Sequence, residues 1–340
     1  MVILRERPVG REPVSSDFAI EERALPALGD GELLVHNIVM SVDPSMRGRL
    51  EPTEKQYTTN FEIGGPLDGS AIGVVTQASA AGAAAGLTEG VLVRHRSGWR
   101  EDAIVAADSV SVVDVALAPV GAWLGIMGQT GFTAYVGVRR IAPVAAGETV
   151  FVSAAAGAVG SVAGPFARLM GATTVIGSAG GAAKVGLLVD ELGFDGAFDH
   201  RVDSPFDALA RLAPDGVDVY FDNAGGRQLV AALNAMRING RIALCGMMSQ
   251  FDRDAKREDI NQLIQAVLRR VTLRGFIVRD HEDLRPEFER EVAGWLRSGA
   301  LVPRQTVFDG LDRSVDAFLG MLTGANIGKM LVHLDSTWAI

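Results

Sequence analysis

Residues 148–164 read ETVFVSAAAGAVGSVAG, and residues 173–184 follow as TTVIGSAGGAAK. The first stretch begins as an apolar, strand-like run and breaks into small residues at Ala155, Gly157 and Gly160. It then turns helix-compatible as far as Met170. Ala155-x-Gly157-x-x-Gly160 is the glycine-rich phosphate fingerprint with alanine in the first place. A nucleotide pyrophosphate needs such a turn, because backbone N–H groups at a helix N-terminus must reach it past no side chains. The pattern alone is weak in a chain this rich in Gly and Ala. Here it follows a predicted strand, opens a predicted helix and meets a second strand, Thr173–Ile176, within one βαβ unit. That context predicts a dinucleotide-binding turn, with Ala158 and Val159 inside it.

The second stretch bears on which dinucleotide. An NAD site places Asp or Glu after the second strand to hold the ribose 2′-OH. Here that point reads Val175-Ile176-Gly177-Ser178, and no acid stands between Glu148 and Asp190. Small residues leave room for a 2′-phosphate, Ser178 can donate to it, and Lys184 supplies a positive charge. Lys184 could instead be a solvated helix-face lysine. The expectation is NADPH in preference to NADH.

Composition bounds the partners. The chain has 340 residues, 48% of them hydrophobic, enough for a sizeable core and two domains. Its net charge of −9 comes without a basic run, which argues against nucleic acid. The start, MVILRERPVGREP, has no signal-peptide core, and the longest apolar stretches are too short for a bilayer. The single Cys245 suits a reducing, cytoplasmic setting. With one cysteine, and with His36, His95, His200, His281 and His333 at no ligand spacing, no metal is expected.

The first part of the chain reads as β-rich, with candidate strands at 32–42, 71–78, 91–96 and 109–114, and an Ala/Gly surface turn at 79–86. From Gly125 to about Pro303, strands alternate with helices, which predicts a parallel sheet covered on both faces. PEFEREVAGWLRSG, residues 286–299, is a helix with Pro286 in its first turn and an apolar stripe of Phe288, Val292, Trp295 and Leu296. The tail carries another strand–helix–strand.

Seven segments then occur in a fixed order: SVDPSMRGRL (41–50), GQTGFTAYVGV (128–138), SAAAGAVGSVAG (153–164), VYFDNAGG (219–226), GRIALCGMMSQF (240–251), RGFIVRD (274–280) and NIGKM (326–330). As a set they resemble the zinc-independent medium-chain dehydrogenases/reductases, in the branch of prostaglandin reductases and plant alkenal double-bond reductases. The resemblance spans nearly the whole chain. It implies a GroES-like β-barrel domain of residues 1–125, with 304–340 returning to it. A Rossmann NADP(H)-binding domain of residues 126–303 lies between. It also implies a homodimer that reduces the C=C bond of α,β-unsaturated aldehydes or ketones with NADPH.

Residue by residue, the resemblance places Asn223 near the nicotinamide and Asn326 on the cofactor from the returning segment. Either could instead be a turn asparagine. Cys245 and Gly246 match backbone positions passing the cofactor, and Thr130 with Gly131 begins the helix bordering the nicotinamide. Several departures stand out. The family's S-Q-Y reads Ser249-Gln250-Phe251 here, so the phenol that would stabilise an enolate is missing. Ser45 replaces a tyrosine in D-P-Y-M-R, and His281 replaces another. His200 stands for a tyrosine after the third Rossmann strand, and Gly181 for a serine in the phosphate loop.

His281 is a candidate replacement donor, or a surface histidine between Asp280 and Glu282. Arg47 lies near the active-site floor in this reading, or ties its loop structurally. Phe251 reads as an apolar pocket wall, beside Ser45, and Tyr57 as a loop residue over the cleft or merely packed. The resulting expectation is hydride transfer to the β-carbon of an enone or enal. The alternatives are an NADPH:quinone oxidoreductase, which needs no phenol, and an NADPH-binding protein with little catalysis.

Overall fold

The computed structural model describes residues 1–51, 59–247 and 262–340. Two compact units emerge, one of Met1–Gly125 with Gln305–Ile340 and one of Ile126–Arg304. In chain order the first unit holds β1 (Val2–Leu4), β2 (Phe18–Ile20), β3 (Glu32–Ser41), the short helix α1 (Ser45–Arg49), β4 (Ala71–Ala78) and α2 (Ala80–Ala84). It continues with β5 (Leu92–His95), β6 (Asp102–Ala106) and β7 (Ser111–Val112).

The second unit holds α3 (Gln129–Val136), β8 (Thr149–Val152), α4 (Gly160–Leu169), β9 (Thr174–Ala179), α5 (Ala182–Asp190), β10 (Gly196–Asp199) and α6 (Pro205–Leu212). It continues with β11 (Val217–Asp222), α7 (Gly226–Ala235), β12 (Met236–Leu244), α8 (Leu263–Arg269), β13 (Thr272–Gly275) and α9 (Arg285–Arg297). The chain then returns to the first unit through β14 (Gln305–Asp309), α10 (Ser314–Leu322) and β15 (Lys329–His333).

In the first unit, a sheet in the order β14-β15-β3-β4-β5-β7, with β6 also paired to β3, encloses apolar side chains of alternating parity. Trp99 is fully buried and meets Phe318 of α10 edge-on, 6.2 Å between centroids, so the returning segment contributes to this core. The Ala/Gly stretch expected as a turn is a helical turn: Ser79 caps α2 by accepting from the Gly82 N–H at 3.2 Å.

The second unit is a parallel sheet in the order β10-β9-β8-β11-β12-β13. This is the doubly wound Rossmann order, and its switch point lies between β8 and β11. Every residue of β8 is buried, as expected for a strand covered on both faces. Phe151 stacks between Tyr220 (4.7 Å) and Phe198 (5.8 Å), each such burial being worth about 1.5–3 kcal/mol. On the other face Tyr135 meets Phe166 and Phe288, which ties α3, α4 and α9 together. Among the described residues no helix is long and apolar enough to cross a membrane.

Candidate functional site

The turn from β8 into α4 lies beside the switch point, where parallel sheets bind ligands at their strand C-termini. Ala154 takes a left-handed conformation (φ 47°), which reverses the chain after Ser153. A methyl at Gly160 would fall 2.4 Å from the Ala154 carbonyl oxygen and 2.6 Å from the Ala155 Cα, so helix and turn approach at glycine distance. Gly157 is open by contrast: a methyl there would meet only the Ala154 oxygen, at 3.2 Å. Ala155 fits the first glycine's place because it packs against Gly177 of β9, where a methyl would come 3.0 Å from the Ala155 Cβ. No side chain caps the N-terminus of α4 or of α5. Backbone N–H groups in a side-chain-free turn at a helix start suit a pyrophosphate.

The loop after β9 corrects one expectation. Ser178 is fully buried and its hydroxyl donates to Gln228 Oε1, inside the sheet layer. Its one proton is therefore not directed at a 2′-phosphate. The cationic group there is Arg201, which the sequence reading passed over: a methyl at Gly180 would lie 2.7 Å from Arg201 Nε, so the guanidinium rests on this loop. Lys184 is half-buried rather than a solvated lysine, and desolvation, then Arg201, lowers its pKa. Desolvation also lowers His200, and Arg201 and Lys184 push the same way against Asp199.

The sheet brings an acid, Asp199 at the end of β10, to this loop. Its carboxylate accepts the Gly181 and Arg201 N–H groups, which hold its pKa down. Asp203 Oδ2 accepts the Asp199 N–H at 3.0 Å, so two acids stand near Lys184 and Arg201.

At the switch point itself the polar groups interlock. Ser153 Oγ accepts from the Asn223 N–H at 2.9 Å, and Asn223 Nδ2 donates to the Ser153 carbonyl at 2.8 Å. Asp222 is fully buried, and its Oδ1 accepts from Tyr220, Ser153, Ala224 and Gly225. The Cys245 and Gly246 N–H groups close on the Asp222 carbonyl at 2.9 and 3.0 Å, joining the ends of β11 and β12. Burial, with Asp222 nearby, pushes the Cys245 thiol up to about 12, so it stays protonated. Thr130 is buried at the start of α3. Gly131 beside it has no room for a side chain, since a methyl would fall 1.8 Å from the Ile126 oxygen.

His281 is not a surface residue. It is 8% exposed, edge-on to Phe276, with Arg140 Nη1 3.5 Å from Nδ1. In the first unit Arg47 is buried, with its guanidinium on Glu51 (2.9 Å), Glu12 (3.3 Å) and the Arg11 carbonyl (3.4 Å). Those contacts make it a tie for its loop and leave no donor assigned to a substrate. Ser45 is exposed at the start of α1. Asn326 donates through Nδ2 to the Gly328 carbonyl at 2.8 Å, the turn role its type allows. The neighbouring Lys329 is buried and donates to the Val42 carbonyl and to Asp43 at 2.6 Å. Tyr57 and Phe251 lie outside the described residues. Among the described residues no group of three or more His, Cys, Asp or Glu could hold a metal.

Two family models match: residues 1–113 fit one described as the N-terminal domain of oxidoreductase, and residues 158–293 one described as zinc-binding dehydrogenase. The 2-alkenal reductase (NADP(+)-dependent) of Nicotiana tabacum is 35% identical over 339 residues, covering 98% of this chain and 97% of its own. The NADPH-dependent curcumin reductase of Escherichia coli is 34% identical over 339 residues, 98% and 96% of the respective chains. The crystal structure of CurA from Vibrio vulnificus in complex with NADPH superposes with a TM-score of 0.90 at 33% identity, over 98% of this chain and 99% of that one.

Proposed function

Since the chain belongs to the zinc-independent medium-chain dehydrogenases/reductases, in their alkenal-reductase branch and with their GroES-like and Rossmann units, we propose that it reduces the C=C bond of α,β-unsaturated aldehydes or ketones with NADPH. The observation that carries this reading is near-full-length identity of about a third to two reductases, one named for 2-alkenals and NADP(+), the other for curcumin and NADPH.

NADPH, when bound, supplies the hydride for the electrophilic β-carbon of the conjugated substrate. The chain's own part is to hold and orient it. The Ala155–Gly160 turn receives the pyrophosphate: Gly160 lets the start of α4 close on the turn backbone, and Gly157 leaves the turn open. Lys184 and Arg201, with His200 beside them, receive the 2′-phosphate. Asn223, Gly246 and Thr130 border the nicotinamide end. Phe251 has no phenol O–H to offer a developing enolate. His281 packs on Arg140, ten residues beyond Thr130, and is given no role at the enolate oxygen. Phe251 also gives the quinone reading its support, because quinone reduction needs no phenol.

The protein works in the cytoplasm as a homodimer. Leu263, Ile264, Val267 and Leu268 of α8 are 53–70% exposed, and β13 ends the sheet among the described residues, an edge that a second copy would cover. The test is NADPH consumption on a panel of enals, enones and quinones. Turnover on enals or enones above that on quinones is expected; turnover on quinones alone would replace this reading with the second.

A further inference from the structure

Asp222 and Tyr220 are buried titratable groups that the reaction does not use, and they sit at the switch point of the sheet. Asp222 Oδ1 collects the Tyr220 hydroxyl at 2.6 Å, the Ser153 hydroxyl at 3.1 Å, and the Ala224 and Gly225 N–H groups at 2.9 and 2.7 Å. Its Oδ2 is buried without a hydrogen-bond partner. A buried carboxylate with one oxygen unsatisfied is a poor device for stability, since apolar replacements of buried charges are often neutral or better. The arrangement does constrain geometry. Ser153 is held by Asp222 and in turn holds Asn223 at two points, its N–H and its Nδ2. With Nδ2 committed, the acceptor that Asn223 can offer a ligand is its Oδ1, which suits the N–H donors of a carboxamide.

We propose that Asp222 is a positioning residue for the carboxamide of the nicotinamide ring. Through Ser153 and the Ala224–Gly225 turn it fixes the Asn223 side chain at the C-terminal ends of β8 and β11. The proposal rests on NADPH being the cofactor. Lys184, on α5 after β9, and Arg201, after β10, lie on the other side of β8 in the sheet order, so the node is separate from the 2′-phosphate cradle.

The test compares two ligands that bind without turnover: NADPH, and 2′,5′-ADP, which carries only the adenosine half. Asp222→Asn keeps the shape and replaces the carboxyl group that gathers four donors. Its affinity for NADPH should fall about tenfold, a loss of one charge-assisted interaction, while 2′,5′-ADP binds within about twofold of the unmutated chain. Equal weakening of both ligands would mean that the node only holds the unit together, and unchanged NADPH binding would mean that it positions nothing; either overturns the proposal. Tyr220→Phe retains the carboxylate and should give the same split in smaller degree, which keeps the question decidable if Asp222→Asn does not fold. If the unmutated chain binds neither ligand, the cofactor reading fails and this one with it.

Discussion

Replacing Gly160 with alanine is the most local perturbation of the proposed cradle. The added methyl would fall 2.4 Å from the Ala154 carbonyl oxygen and 2.6 Å from the Ala155 Cα, whereas ordinary contacts begin near 3.4 Å. Both obstacles are backbone, so no side chain can rotate away, and the turn must open by about 1 Å in a close-packed interior. Overpacking of this kind costs about 1–3 kcal/mol of stability. The functional cost should be larger, because ~1 Å of misplacement in a ligand-positioning element can cost about 100-fold. Gly157→Ala separates ligand from fold. Its methyl would meet a single protein oxygen, at 3.2 Å, so the fold tolerates it, but it stands on the open side of the turn that the pyrophosphate must approach. Fluorescence titration with NADPH, beside thermal unfolding of each variant, should show both variants weakened at least ~30-fold, with the Tm lowered mainly in Gly160→Ala. Gly160→Ala binding NADPH as tightly as the unmutated chain would refute the placement of the pyrophosphate in this turn.

Arg201→Ala should weaken NADPH by about tenfold or more, the worth of a charge-assisted phosphate contact, and leave NADH unchanged; the ratio of the two dissociation constants is the readout. His200 is held low by desolvation and two cations, and a bound 2′-phosphate would raise it. NADPH binding should therefore take up a proton and tighten as pH falls from about 8 to 6, with NADH flat and His200→Gln flattening the NADPH profile. Burial alone would raise Asp43, and Lys329 more than offsets it. Lys329→Met should cost about 2 kcal/mol, less than for a fully buried pair because Asp43 is a third exposed, and lower the Tm by roughly 4–8 °C. Because the folded Asp43 value is depressed, the pair's contribution is present above about pH 4 and is lost as pH falls through the folded value, so the two unfolding curves should converge in acid.

The parallel sheet was legible because alternation of apolar runs with helix-compatible segments leaves few topologies open, and the glycine spacing marks its first turn. The Lys184 loop was legible only in part. Arg201 follows β10 and reaches the β9 loop through strand order, which no linear spacing announces. Ser178 looked available because serine is usually exposed, yet β9 is covered on both faces and Gln228 of α7 supplies a buried partner. His281 looked exposed from its acidic neighbours, but the turn after β13 folds it against Phe276 and Arg140. The node of Ser153, Tyr220 and Asp222 joins two strands nearly seventy residues apart, residues 153 and 222, and its members are individually unremarkable in sequence. Pro165 sits within α4, which continues to Leu169.

The central claim is transfer of the cofactor's hydride to carbon, and isotope transfer tests it most directly. The protein is incubated with NADPH deuterated at C4 of the nicotinamide, separately in each face, and an acyclic enone, and the product is examined by NMR and mass spectrometry. The account predicts a saturated ketone carrying one deuterium at the β-carbon from one of the two labelled cofactors, with the α-carbon proton drawn from water. NADPH oxidised with no label at the β-carbon, or label appearing on the carbinol carbon of an allylic alcohol, would contradict it.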